Sequence, residues 1–206
     1  MNRIITIGRE FGSGGRELGK RIAEALNIAY YDKEILTEIA RKTELAYDYV
    51  QKIIEKKPIA YYPITIGNSF SNTYYSSHEI NTSIYTEQCN VIRELAKKSD
   101  CVIVGRCADY VLKDYQNVVN IFICAPMEDK INRAVTYYGL NPNKAANEIS
   151  KKNKKRRSYY NFYTDREWGK ANNYDLCINS RIGVEETVDA IEAYVKTVFK
   201  LNGKEE

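Results

Sequence analysis

Apolar positions along the chain change their period repeatedly. Ile4-Ile5-Thr6-Ile7 is a short β-branched run that stops at Gly8, and over 16–26 the residues Leu18, Ile22, Ala25 and Leu26 recur at helical spacing. Ala29-Tyr30-Tyr31 is a brief second strand, and Asp32 follows as a candidate N-cap for a helix over 33–42. A further helix is expected over 47–56. Residues 58–77 carry two prolines, a glycine and many Ser, Thr, Asn and Tyr residues, which reads as a long binding or moving loop. Helical spacing returns over 78–98, with Ile80, Ile84, Val91, Ile92 and Leu95 on one side. Cys101-Val102-Ile103-Val104, stopped by Gly105, and the apolar run 118–125, stopped by Pro126, are buried strands. Helices are expected at 127–138 and 142–157, a fifth strand at 174–178, and a closing helix at 183–199 on Val184, Val188, Ile191, Val195 and Val198.

Near-continuous apolar strands alternating with helices imply a parallel sheet covered on both faces. No repeat, low-complexity segment or linker divides the 206 residues, so one domain over 1–206 is expected. No stretch approaches the roughly 18 apolar residues that a membrane span needs, and the first residues turn polar too soon for a signal peptide. The expectation is a cytoplasmic protein.

Composition removes several chemistries. The only histidine is His78, so Cys₂His₂ zinc and paired-histidine metal sites are excluded, and no nucleophile motif accompanies it for a catalytic triad. Five cysteines without a C-x-x-C pair argue against structural zinc and a disulfide framework. The 31 basic against 27 acidic residues give +4, and this excess is local. Lys151-Lys152-Asn153-Lys154-Lys155-Arg156-Arg157 holds six basic residues in seven, and without it 25 basic residues face 27 acidic ones.

Four segments can carry chemistry. Gly8-Arg9-Glu10-Phe11-Gly12-Ser13-Gly14-Gly15-Arg16-Glu17 lies between the first strand and the first helix, where glycines let backbone N–H groups wrap a phosphate and Arg16 adds a guanidinium. A tight turn that needs glycine is the plainer reading. Asp32, at the end of the second strand, sits on the edge where open α/β sheets bind ligands, and capping and ligand contact are both open to it. Gly105-Arg106-Cys107-Ala108-Asp109 leaves the third strand at the same edge. There Arg106 can fork onto a phosphate and Asp109 can accept from an amine, or the two can form a surface ion pair. The basic run, followed by Tyr159, Tyr160, Phe162 and Tyr163, fits a solvated helix face, a cationic lid over transferring phosphates, or a single-strand nucleic-acid site. Arg133 reads as an exposed helix residue that could join such a cluster, and Trp168 as a packing residue that could stack on a base.

The glycine loop, Tyr31-Asp32-Lys33-Glu34, Gly105-Arg106, Tyr159-Tyr160, Trp168-Gly169 and Asn173-Tyr174-Asp175-Leu176-Cys177-Ile178-Asn179 together resemble the cytidylate kinase-like family, a branch of the P-loop nucleoside monophosphate kinases. The resemblance implies a three-layer α/β P-loop NTPase fold, its five-stranded parallel sheet ordered 2-3-1-4-5, with a helical monophosphate-binding insert over 33–98 and a lid over about 139–170. It implies transfer of the ATP γ-phosphoryl group to a nucleoside monophosphate, CMP or dCMP first, with ATP and Mg²⁺ as cofactors. By the same resemblance Gly12, Ser13, Gly14, Gly15 and Arg16 cradle the donor phosphates. Asp32, Arg106 and Asp109 hold the acceptor, and Arg16, Lys152 and Arg156 act on the transferring group; no metal ligand is assigned. The loop departs from the family's Gly-Lys-Gly-Thr in reading Gly15-Arg16-Glu17, and Gly-Arg-Asp becomes Gly-Arg-Cys with the aspartate moved to Asp109. A nucleotide-binding regulator without kinase activity, and an RNA-binding protein using 151–163, are the other two readings. The expected partners are small nucleotides, not membranes.

Overall fold

The computed structural model describes residues 2–55 and 72–202, and of residues 55, 72–79 and 201–202 it describes the backbone alone. Five parallel strands, β1 (Ile4–Arg9), β2 (Ala29–Tyr31), β3 (Cys101–Val104), β4 (Val118–Cys124) and β5 (Leu176–Asn179), form a sheet in the order β2-β3-β1-β4-β5. The helices between and after them are α1 (Gly15–Leu26), α2 (Glu34–Thr43), α3 (Tyr47–Glu55), α4 (Asn72–Lys98), α5 (Ala108–Val111), α6 (Met127–Tyr138), α7 (Pro142–Thr164) and α8 (Val184–Asn202).

Strands that look uniformly apolar divide their residues by turns between two cores. Ile5, Ile7, Val102, Val104, Val119, Ile121 and Ile123 meet Leu18 and Ile22 of α1 and Val188, Ile191 and Val195 of α8. Ile4, Cys101, Ile103 and Phe122 meet Ile35 and Ile39 of α2, Val50 of α3, Ile84 and Ile92 of α4, and Tyr159 and Tyr160 of α7. Fully burying each such side chain contributes about 1.5–3 kcal/mol. Within this apolar sheet, Thr6 and Asn120 stand opposite each other on β1 and β4, and the Thr6 hydroxyl donates to Asn120 Oδ1 at 2.7 Å.

The structure moves several expected boundaries. The loop expected over 58–77 lies outside the described residues up to 71, but 72–77 are helical, the first turns of α4. Polar residues there extend a helix already nucleated by the apolar stripe behind them, which costs little. His78 falls in that stretch, outside the described side chains. The helix expected to stop at 157 runs on to Thr164, because Tyr159 and Tyr160 continue its buried side. Asp32 does not cap α2. Lys33 occupies the cap without a side-chain bond, while the Asp32 N–H donates to Glu34 Oε2 at 3.0 Å. The fifth strand starts at Leu176, after Asp175 ties the chain to β4 by accepting the Asn120 N–H at 2.7 Å.

Candidate active site

The C-terminal ends of β1, β2 and β3 open onto one cleft. β1 ends at Arg9 and α1 begins at Gly15, and the turn between them needs glycine twice for different reasons. Gly12 has φ +86° and a Cβ there would lie 2.9 Å from the Lys130 carbonyl oxygen, while a Cβ on Gly15 would lie 2.6 Å from Arg9 Cβ. Gly14, with φ +78°, caps α1 without a side-chain acceptor. The first-turn N–H groups of Gly15, Arg16 and Glu17 have no carbonyl one turn back, so they are free to meet an anion.

The loop is held from beneath. Ser13 is 2 % exposed, and its hydroxyl lies 2.9 Å from the Glu10 carbonyl oxygen and 3.1 Å from that of Ile123. Its side chain thus ties the loop to β4. Ser180 donates to the Ser13 carbonyl at 2.9 Å, and the buried Lys130 ammonium donates to Glu10 at 2.7 Å.

Among the described residues, guanidiniums from four elements converge around one carboxylate. Asp32 pairs with Arg16 Nε at 2.6 Å and with Arg9 Nη2 at 3.7 Å. Burial, then Arg156, push the Arg9 guanidinium down to about 9; Asp32 opposes this, and Arg106 and Arg16 add to it. Burial, then Arg16 and Arg106, push Arg156 down to about 10. Among the described residues, Asp32 is the one carboxylate paired with any of these four guanidiniums, and Arg106 and Arg156 have no carboxylate within ion-pair distance. A phosphate anion would relieve both the repulsion and the lost hydration.

α7 brings the last cations. Arg156 Nη1 donates to the Arg9 carbonyl at 3.0 Å, and Asn153 Oδ1 accepts the Phe11 N–H at 2.6 Å. The Lys152 ammonium stands 4.9 Å and the Arg156 guanidinium 5.7 Å from the Phe11 ring centroid. Loop, Arg16, Tyr138, Lys152 and Arg156 line a cavity of about 270 Å³. Only part of the basic run faces it: Lys154 and Lys155 are exposed, and exposed Lys151 pairs with Glu148 at 3.1 Å.

Arg106 is aimed by strained backbone. Gly105, Arg106 and Cys107 have φ +76°, +59° and +56°, three left-handed residues in succession. A Cβ on Gly105 would collide with the Arg9 guanidinium. The fully buried Gln88 of α4 donates to the Arg106 carbonyl at 3.0 Å and accepts from the Tyr159 hydroxyl at 3.2 Å.

The structure places Asp109 in the core. It lies in the first turn of α5, 7 % exposed, where Tyr160 donates to it at 2.6 Å. Burial raises its pKa, against the Tyr160 hydrogen bond. Trp168 packs, its ring edge-on to Phe122 at 5.3 Å. Arg133 is not an exposed helix residue: its guanidinium pairs with Glu17 and lies against Gly14, and its Nε is buried without a partner. The tyrosines of α7 serve the core, Tyr163 stacking on Tyr85 at 3.9 Å and Tyr159 and Tyr160 donating to buried partners.

The cleft fits phosphates and does not fit a protein-held magnesium. No hydroxyl stands in the first turn of α1, and the nearby carboxylates already meet cations: Asp32 with Arg9 and Arg16, Glu10 with Lys130, Glu17 with Arg133 and Arg21. Among the described residues no group of three or more His, Cys, Asp or Glu side chains could hold a metal ion, and no helix is long and apolar enough to cross a membrane.

A family model described as the cytidylate kinase-like family matches residues 4–182. No curated protein matches. Among solved structures, an uncharacterised protein from Eubacterium ventriosum is 32 % identical, with a TM-score of 0.71 over 95 % of this chain and 99 % of its own. A shikimate kinase from Bacteroides thetaiotaomicron is 14 % identical, with a TM-score of 0.57 over 94 % of this chain and 98 % of its own, and shares the P-loop kinase fold.

Proposed function

The chain belongs to the cytidylate kinase-like family, and from that premise we propose that it transfers the γ-phosphoryl group of ATP to a nucleoside monophosphate, with CMP or dCMP the first acceptors to test. The observation that carries this reading is the convergence of a glycine loop, with unpartnered helix N–H groups, and the guanidiniums of Arg9, Arg16, Arg106 and Arg156. Phosphoryl transfer needs little covalent help from a protein; it needs in-line positioning and fixed positive charge where negative charge spreads. The loop N–H groups and Arg16 receive the donor phosphates. Arg9 stands behind them, in the space that a side chain at position 15 would take. Arg106 and Asp32, at the exits of β3 and β2, face the acceptor, while Lys152 and Arg156 close from α7 on the group in transit. In this reading α7 is the main part of a lid over about 139–170, the helices within 33–98 form the acceptor-side insert, and the work is done in the cytoplasm. Magnesium would arrive on the ATP phosphates, where it neutralises charge.

A nucleotide sensor without turnover is the second reading, favoured by Gly15-Arg16-Glu17 in place of Lys and a hydroxyl. ADP release measured with ATP against CMP, dCMP, UMP, AMP and GMP separates the two. Acceptor-dependent ADP release supports the kinase. ATP binding with no ADP release for any acceptor supports the sensor.

A further inference from the structure

We propose that the cleft gives magnesium no protein ligand and holds the nucleotide's phosphates with guanidiniums instead, so that the metal-free triphosphate binds about as well as the magnesium complex or better. This rests on reading the cleft as a nucleotide site. Three observations carry it.

The first is the donor inventory. A protein ligand for magnesium is an oxygen, and the side-chain oxygens of the loop and of Asp32 already have partners. The Asp32 carboxylate lies between Arg16 and Arg9, that of Glu10 accepts from the buried Lys130, and that of Glu17 accepts from Arg133 and Arg21. The Ser13 hydroxyl points at the Glu10 and Ile123 carbonyls. Recruiting any of these carboxylates would strand a buried or half-buried cation, at a cost of several kcal/mol.

The second is the charge already in place. Of the four guanidiniums, two share the Asp32 carboxylate and two have no carboxylate partner among the described residues, and burial together with mutual repulsion disfavours the charged forms of Arg9 and Arg156. A divalent ion removes two of the triphosphate's negative charges before it arrives, which weakens its attraction to such a cleft. Planar guanidiniums also bind phosphate oxygens in pairs, with the geometry that a coordinating metal would otherwise impose.

The third is Arg133. Its guanidinium borders Gly14, and its Nε–H is buried without a partner, a donor left over at the edge of the loop. A ligand oxygen seated on the loop is the partner this donor lacks.

The test is isothermal titration calorimetry of the full chain with ATP at constant ionic strength, once in excess EDTA and once in excess Mg²⁺. The expected Kd in EDTA is lower than in Mg²⁺, or at most about threefold higher. A Kd more than about threefold higher in EDTA, with normal binding in Mg²⁺, overturns the proposal and leaves the nucleotide reading standing. No binding under either condition overturns both. Arg16→Ala removes a half-exposed side chain and leaves Asp32 its contact with Arg9, and a thermal melt of the variant confirms that it is folded. It should weaken metal-free ATP by about tenfold or more, as expected for a lost charge-assisted hydrogen bond. Unchanged metal-free affinity in this variant would also overturn the proposal.

Discussion

Gly15 and Arg9 explain each other. Cytidylate kinases carry a lysine where this loop has Gly15, and here the Cβ such a lysine needs would lie 2.6 Å from Arg9 Cβ and 2.9 Å from its Cγ. Here Arg9, at the end of β1, and Arg16, one residue after Gly15, both bring positive charge to Asp32. Gly15→Lys should therefore lower stability by about 1–3 kcal/mol through overpacking and should not raise turnover. Paired denaturant melts and rate assays check this, and a faster enzyme of unchanged stability would contradict it. Asp109 gives a second residue-scale prediction. Its raised carboxyl stays protonated in the folded chain where the unfolded chain has already ionised, so its contribution is present at acid pH and fades as pH rises through the carboxylate range. Asp109→Asn should gain stability relative to wild type as pH rises above about 4, where the unfolded carboxyl ionises. Parallel urea midpoints for the two proteins as pH rises would refute the assignment. At this scale the sequence singled out Gly12, Gly14, Arg16 and Arg156, which the structure brings to one cavity, but not Arg9, which lies there with them. The missed signal was a charged residue closing an otherwise apolar central strand, which periodicity treats as a strand end.

α7 is the element whose reading changed most. Its side toward the cleft and core runs Ala145, Ile149, Asn153, Arg156, Tyr159, Tyr160 and Thr164, a helical stripe whose middle is polar because it meets a phosphate loop instead of a core. An apolar template stops at 149, so the C-terminal turns were not legible, and the run divided between cleft and solvent in a way that composition could not show. The contact at Asn153 is open to direct test. Asn153→Ala removes the acceptor of the Phe11 N–H, and exchange of that amide measured by NMR should accelerate by about fivefold or more, for a bond contributing about 1 kcal/mol. Unchanged exchange would mean that Asn153 does not hold the loop in solution. Gln88 links the same helix to α4 and to the Arg106 turn, a connection of buried polar groups that no spacing rule would have found.

For the molecule as a whole, the parallel sheet was legible in the sequence because each strand is a short apolar run closed by a turn residue or a charge, whereas its order was implied by the family resemblance and is the one the structure shows. The fold then brings residues far apart in the chain, 9, 16, 32, 106 and 156, to one edge. The local excess of positive charge that made the chain basic is partly that site and partly solvated surface. What this assembly does to a phosphate is the central claim, and the fate of the γ-phosphoryl group tests it most directly. With γ-labelled ATP and CMP or dCMP, the account predicts label recovered in the corresponding nucleoside diphosphate, in step with ADP. Label that stays in ATP, or appears only as inorganic phosphate, whichever monophosphate is supplied, would contradict it.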